Sequence, residues 1–225
     1  MKIELAGEEV ELLPERALWR PRAKTLLVAD THWGKAATLR HASMMIPPGT
    51  TRDDLDRLTL LVETKRPERL IFLGDLIHAR QGRHPRTLEA VSRWRRRFSD
   101  LPITLVRGNH DYRAGDPPEE WRMECVDEPL RDGPFALRHV PGQEPGAYVL
   151  AGHLHPKAKL RGPSGESLKL PCFRVGAESA VLPAFSCLAD GGGFQPQSGE
   201  RVFVIAEDEV VEVPLAGPRD RYPKS

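Results

Sequence analysis

Cysteine, long apolar runs and excess charge are all scarce in this chain of 225 residues. Three cysteines, Cys125, Cys172 and Cys187, are too few and odd in number for a disulfide framework. They fit a reducing compartment and read as buried structural thiols, since free cysteine is among the most buried side chains. No apolar run approaches the ~18 residues of a membrane span. The opening stretch MKIELAGEEVELLPERALWRP alternates charged with apolar residues and lacks the apolar core of about 7–15 residues that a signal peptide needs. The expectation is a soluble, cytoplasmic protein with no membrane partner. Lysine and arginine number 33 against 32 aspartates and glutamates, so any attraction to a polyanion must be local. There is no internal repeat.

What is present is a set of short polar motifs, each behind a β-like apolar run: Asp30-Thr31-His32 after TLLV, Gly74-Asp75 after RLIFL, Gly108-Asn109-His110-Asp111 after ITLVR, and Gly152-His153-Leu154-His155 after AYVLA. Strands that end this way deliver their polar groups to one sheet edge, where several carboxylate and imidazole donors gather. Oxygen and nitrogen donors suit borderline-hard divalent ions such as manganese, iron or zinc, whereas a thiolate site would use cysteine. The adjoining glycines allow backbones to approach closely. Of the eight histidines, His32, His110, His153 and His155 therefore read as functional. Hydrophobic residues make up 40% of the chain, enough for a real core. Because motifs from residue 30 to residue 155 must converge, residues 1–225 are expected to form one domain, with a motif-bearing core at about 24–206 and a flexible tail at about 216–225.

Element by element, the first half repeats strand, motif and helix, the pattern of α/β layering. A short helix is expected over GKAATLRHA, ended by Pro47 and Pro48. Another follows from Arg52 to about Thr64, capped by Thr51, with Leu55, Leu58, Leu61 and Val62 on one stripe. A third runs from Pro85 to about Phe98, with Leu88, Val91, Trp94 and Phe98 at helical spacing. From about Cys125 the chain turns to short strands punctuated by glycine and proline, which suggests a second, more antiparallel sheet.

In motif order the chain resembles the calcineurin-like metallophosphoesterases, whose DxH, GD, GNHD, lone His and GHxH signature appears over roughly residues 25 to 156. The resemblance implies an α/β fold, a four-layer αββα sandwich with two mixed β-sheets. It implies two divalent ions, most plausibly manganese, with Asp30, His32 and His155 on one, Asn109, His139 and His153 on the other, and Asp75 between them. A bridging carboxylate shares its oxygens between two cations as an amide does poorly, and two positive charges make hydroxide available near neutral pH. His110 matches the family's proton donor to the leaving alkoxide, with Asp111 orienting its ring. Many family members carry an acidic residue where this chain has His78, which is thus a candidate substrate contact.

A narrower resemblance, to the small bacterial phosphoesterases associated with a DNA ligase (the PdeM group), rests on VADTHWGKAATLR, IPPGTTRDDLDRL, the GDLIH variant and LPAFSCLADGGG. It implies a manganese-dependent phosphodiesterase, a DNA endonuclease of damage repair, beside a DNA ligase and a 3′-processing exonuclease. Lys35 and Arg40 follow the first motif. The stretch from residue 80 to 97 carries seven arginines, and Arg80 and Arg83, just past the bridging motif, are placed to hold a phosphate. Arg93 to Arg97 read as a solvated helix face whose stems cover apolar surface, and Trp33 as a packing residue or a base stacker. A small-molecule phosphatase or nucleotidase on the same metal core is the competing enzyme reading, and a metal-poor scaffold a third.

Overall fold

The computed structural model describes residues 1–41, 43–45, 50–161, 166–191, 194 and 196–214. The expected helix end at Pro47 and Pro48 and the expected flexible tail from 216 lie outside the described residues. Two sheets stack face to face. The first contains, in spatial and chain order, β1 (Lys2–Leu5), β2 (Glu8–Leu13), β3 (Ala17–Arg20), β4 (Thr25–Val28), β5 (Arg69–Leu73), β6 (Ile103–Val106) and β7 (Met123–Val126). Hairpins join β1 through β4, whereas β4, β5, β6 and β7 run parallel. The parallel strands TLLV and ITLV are wholly buried and RLIFL nearly so. That explains their unbroken apolar character, because both faces are covered.

The helices are α1 (Lys35–His41), α2 (Thr50–Lys65), α3 (Pro85–Arg97) and α4 (Asn109–Ala114). Leu26, Val28, Leu70 and Phe72 point toward Leu55, Leu58, Leu61 and Val62 of α2 and Val91 and Trp94 of α3. Their neighbours Leu27, Ile71 and Leu73 point into the second sheet. This is the two-residue period of a strand feeding two cores. The second helix starts at Thr50, slightly ahead of the expected Thr51 cap. The third begins with Pro85 at its first position, and the His84 ring caps it by accepting the Arg86 N–H at 3.3 Å.

The second sheet is built from β8 (Leu130–Asp132), β9 (Phe135–Leu137), β10 (Tyr148–Ala151), β11 (Lys157–Arg161), β12 (Ser167–Val175), β13 (Ser179–Val181), β14 (Arg201–Ala206) and β15 (Glu209–Val213). Its order is β15-β14-β12-β13-β10-β9-β8, with β11 hairpinned onto β12. It is mixed, since β10 runs parallel to both β9 and β13. The result is the two-sheet α/β sandwich that the resemblance implied, flanked by helices. No helix is long and apolar enough to cross a membrane among the described residues.

One arginine expected on a solvated face turns out to be structural, while Arg97 is exposed as expected. Arg95 is buried, and its guanidinium donates to the carbonyls of Trp121 at 2.6 Å, Leu101 at 2.9 Å and Ser99 at 3.2 Å. Arg97 pairs with Glu63 of α2 and lies over the Phe98 ring. The thiols are mixed: Cys172 is buried as expected, Cys125 half-buried and Cys187 exposed. Far from the motif edge, the buried Arg20 grips both Glu8 oxygens at 2.8 and 3.0 Å and reaches Asp132 of the second sheet at 2.5 Å. Arg69 also bonds Asp132. Burial works against the Asp132 charge, but the two guanidiniums hold its carboxyl below the usual range. Removing one partner strands the others as buried charge. Arg20→Ala is expected to lower unfolding free energy by about 3 kcal/mol in urea titrations. A loss below about 1 kcal/mol, the scale of a surface pair, would show that this clamp contributes little.

Candidate metal centre

The parallel pairing continues past the strand ends. Asp30 N–H donates to Gly74 O at 3.2 Å, His32 N–H to Asp75 O at 2.8 Å, Trp33 N–H to Leu76 O at 2.8 Å and His78 N–H to Trp33 O at 3.1 Å. The first two motifs are thereby locked side by side. The fourth joins from the second sheet, where His153 N–H donates to Asp30 Oδ2 at 2.8 Å and Gly152 N–H to His139 O at 3.1 Å. Glycine is required at these crossings. A Cβ on Gly74 would sit 2.2 Å from His139 Nδ1, one on Gly108 2.4 Å from Asp75 Oδ1, and one on Gly152 2.5 Å from Asp30 Oδ2.

Three clusters of donors result: Asp30 with His32 and His155, Asp75 with His139 and His153, and, sharing His32 with the first, His32 with His78 and His110. The two that contain a carboxylate are the donor groups of the expected ligand set. In the first, His155 Nε2 lies 3.3 Å from Asp30 Oδ1 and 3.2 Å from His32 Nε2. In the second, His139 Nε2 lies 3.0 Å from His153 Nδ1, 3.0 Å from Asn109 Oδ1 and 3.4 Å from Asp75 Oδ1. Asp75 faces both groups, for its other oxygen, Oδ2, is 3.8 Å from His32 Nε2. All seven residues expected as ligands thus converge.

The residues present fit a cation. His139 Nδ1 donates to Leu73 O at 3.0 Å and His155 Nδ1 to Asp190 O at 2.8 Å. Carbonyls only accept, so the Nε2 atom of each neutral ring carries a lone pair, aimed at other acceptors. Asp30 Oδ1 is buried and has no hydrogen-bond partner among the described residues. An arrangement of facing acceptors is costly unless a positive charge lies between them. Burial, reinforced by the surrounding imidazoles, pushes His32 far down, and burial with the His139 ring lowers His153, so both are held neutral as ligation requires. For His155, burial is outweighed by the Asp30 carboxylate, which raises it. Asp30, His32, Asp75, His153 and His155 all adopt left-handed backbone, with φ between 44° and 69°. For residues other than glycine such strain costs of order 1–3 kcal/mol each and clusters at functional sites.

His110 is the second residue of α4, its backbone N–H donating to Asp75 Oδ1 at 2.9 Å and its Nε2 lying 3.9 Å from Asp75 Oδ2. The partner of its ring corrects the expectation. Nδ1 meets the carbonyl of His78, not Asp111, and the His78 ring stacks on it with centroids 4.8 Å apart. Asp111 is buried and accepts instead the backbone N–H groups of Asp75 at 2.7 Å, Gly108 at 2.8 Å and Leu76 at 2.9 Å, clasping the second motif to the third. Burial pushes its carboxyl up to about 6. His78 itself lies within the site, Nδ1 3.4 Å from His32 Nδ1, and burial lowers it to about 4.

The arginines are a second correction. Arg83 Nη1 donates to the carbonyls of Gly115 at 3.2 Å and Asp116 at 2.8 Å, and Arg80 Nε to Arg113 O at 3.1 Å. They fasten the one-turn 3-10 segment Arg80–Gly82 to the end of α4 rather than converging on the donor groups. Trp33 is buried against Phe72 and Trp121, a packing residue. Glu128 and Asp190 were not singled out from the sequence. The first accepts the N–H groups of His139 at 2.6 Å and Val140 at 3.1 Å, and the second orients His155 through a backbone carbonyl, which leaves no mark on residue type.

Comparison with known proteins agrees with the fold. The calcineurin-like phosphoesterase family profile matches residues 23–139. The crystal structure of the Pseudomonas putida nuclease MPE is similar over 95% of this chain and 99% of that one, at 40% identity and a TM-score of 0.85. Yfce, a phosphoesterase from E. coli, matches 85% of this chain and 98% of that one at 13% identity and a TM-score of 0.41, too slight a likeness to carry weight. No curated protein sequence matches. Since Asp111 satisfies three buried amides, Asp111→Ala is expected to destabilise the chelator-treated protein by about 3 kcal/mol, at roughly 1 kcal/mol per orphaned donor, in chemical denaturation. An unchanged midpoint would mean that those amides find other partners.

Proposed function

The chain belongs to the calcineurin-like phosphoesterase family, and from that premise we propose that it is a two-metal phosphodiesterase, a manganese-dependent nuclease whose substrate is DNA. The observation that carries the reading is Asp75, one oxygen facing each donor group while His110 N–H holds the carboxylate in place. The relative named as a nuclease, alike over nearly the whole of both chains, supports the substrate class.

Asp30, His32 and His155 would hold one ion and Asn109, His139 and His153 the other, with Asp75 shared. When bound, the ions supply a hydroxide nucleophile at neutral pH and neutralise phosphate oxygens. The chain's own residues do the rest. His78 O fixes the His110 tautomer with the proton on Nδ1, so Nε2 faces the centre. As imidazolium, His110 can release a proton from Nε2 to the departing oxygen. The His78 ring, stacked beneath it, keeps the imidazole from swinging away. Asp111 acts one step removed, by holding the backbone on which His110 and Asp75 both sit. In this reading the whole chain works as one domain, in the cytoplasm and beside a DNA ligase and a 3′-processing exonuclease.

The test compares wild type, Asp75→Asn and His110→Ala, each supplemented with manganese, on single-stranded DNA, duplex DNA and mono- and diester model substrates. Asp75→Asn is expected to abolish cleavage and lower bound metal. Cleavage only of monoesters would replace the nuclease reading with that of a phosphatase. His110→Ala is expected to keep its metal and lose about 100-fold or more in rate on esters with poor leaving groups, and far less on nitrophenyl esters. Equal losses on both would remove His110 from the proton-donor role.

A further inference from the structure

The segment following β13 is drawn back over the first donor group. Phe185 N–H donates to Ala29 O at 2.8 Å and Ser186 N–H to Asp30 O at 3.3 Å, extending the first sheet beside a metal donor. Arg16 holds Ser186 O at 3.2 Å and Lys157 holds Ala189 O at 3.1 Å. The segment ends at Asp190, whose carbonyl fixes the His155 ring. Its carboxylate is fully exposed, and Oδ2 lies 3.4 Å from the ammonium of Lys35.

Lys35 is the first residue of α1, reached from His32 by a tight turn in which its N–H donates to His32 O at 3.0 Å. The residue is only 9% exposed. Taking an ammonium out of water is costly unless a well-placed partner compensates. One solvent-bathed carboxylate, farther away than in a good charge-assisted bond, compensates little. Arg83 and Lys157 have carbonyl partners. Lys35 is both buried and poorly paired, and it stands beside the centre where an anion must bind.

We propose that Lys35 binds a non-bridging phosphate oxygen of the substrate, and that the Asp190 carboxylate is the counter-ion the phosphate displaces. This rests on the phosphoesterase reading. Asp190 then competes with substrate through its side chain while supporting His155 through its backbone, so the two functions separate by mutation.

The probe is inorganic phosphate, titrated calorimetrically into manganese-loaded wild type, Lys35→Met, Asp190→Asn and the double variant, with metal content measured on each. Lys35→Met is expected to weaken phosphate binding at least tenfold with metal content unchanged. Asp190→Asn is expected to tighten it several-fold, and the double variant to match Lys35→Met, because the carboxylate acts only through the ammonium. Lys35→Gln serves in place of Lys35→Met if the latter does not fold. Phosphate affinity indifferent to Lys35, or weakened by Asp190→Asn, would overturn the proposal, as would additive effects in the double variant. These outcomes are read from binding, so they stand apart from the failure of the phosphoesterase reading, which would show as metal-loaded wild type that hydrolyses no ester.

Discussion

Everything at this centre depends on the parallel register of β4, β5 and β6. Val28 lies opposite Phe72, and Leu73 opposite Val106. The residues that follow, Asp30, Asp75 and Asn109, therefore leave the sheet at one edge and at nearly one height. Hydrogen bonds between the first two loops carry that register beyond the strands. Asp111 repeats the operation between the second and third loops with a carboxylate in place of a carbonyl. Side chains on three neighbouring strand ends of an α/β layer have little freedom to arrange themselves otherwise, which is why ligand sites favour such edges.

The assembled groups oppose one another electrostatically. Imidazole nitrogens crowd carboxylate oxygens, and among the described residues Asp30 Oδ1 is buried without a hydrogen-bond donor. The backbone beneath them is strained at five donor residues. Neither feature stabilises the apoprotein. The compensation comes from the two hydrophobic cores on either side of the first sheet and from peripheral links such as the Arg20 clamp. On the proposed ligand set, a divalent ion would turn this repulsion into attraction.

Much of this was legible in the sequence, and the exceptions share a cause. Strand-end motifs could be read because donor chemistry, glycine and apolar runs are all properties of residue type. Helices α2 and α3 could be read from spacing, whereas the short α4 was not foreseen. The partners of Asp111, Arg83 and Arg95 could not, because they are backbone amides and carbonyls, which every residue offers alike. An aspartate following a histidine resembles an orienting group. Here the first turn of α4 sends it back toward the free amides at its own start instead. Arg83 looked available for phosphate because its carbonyl acceptors lie some thirty residues away in sequence. The parallel pairing of β9, β10 and β13 was equally hidden, since alternation along a strand says nothing of its direction.

The bond from His153 N–H to Asp30 Oδ2 joins a residue made early in synthesis to one made late. A ribosome that has released only the first sheet exposes Asp30, His32, Asp75 and Asn109, an acid-rich half-cage without His139, His153 or His155. On the proposed ligand set, full coordination would become available only when the second sheet closes over the first, and an ion held by both halves would work as a rivet between parts that the ribosome delivers at different times.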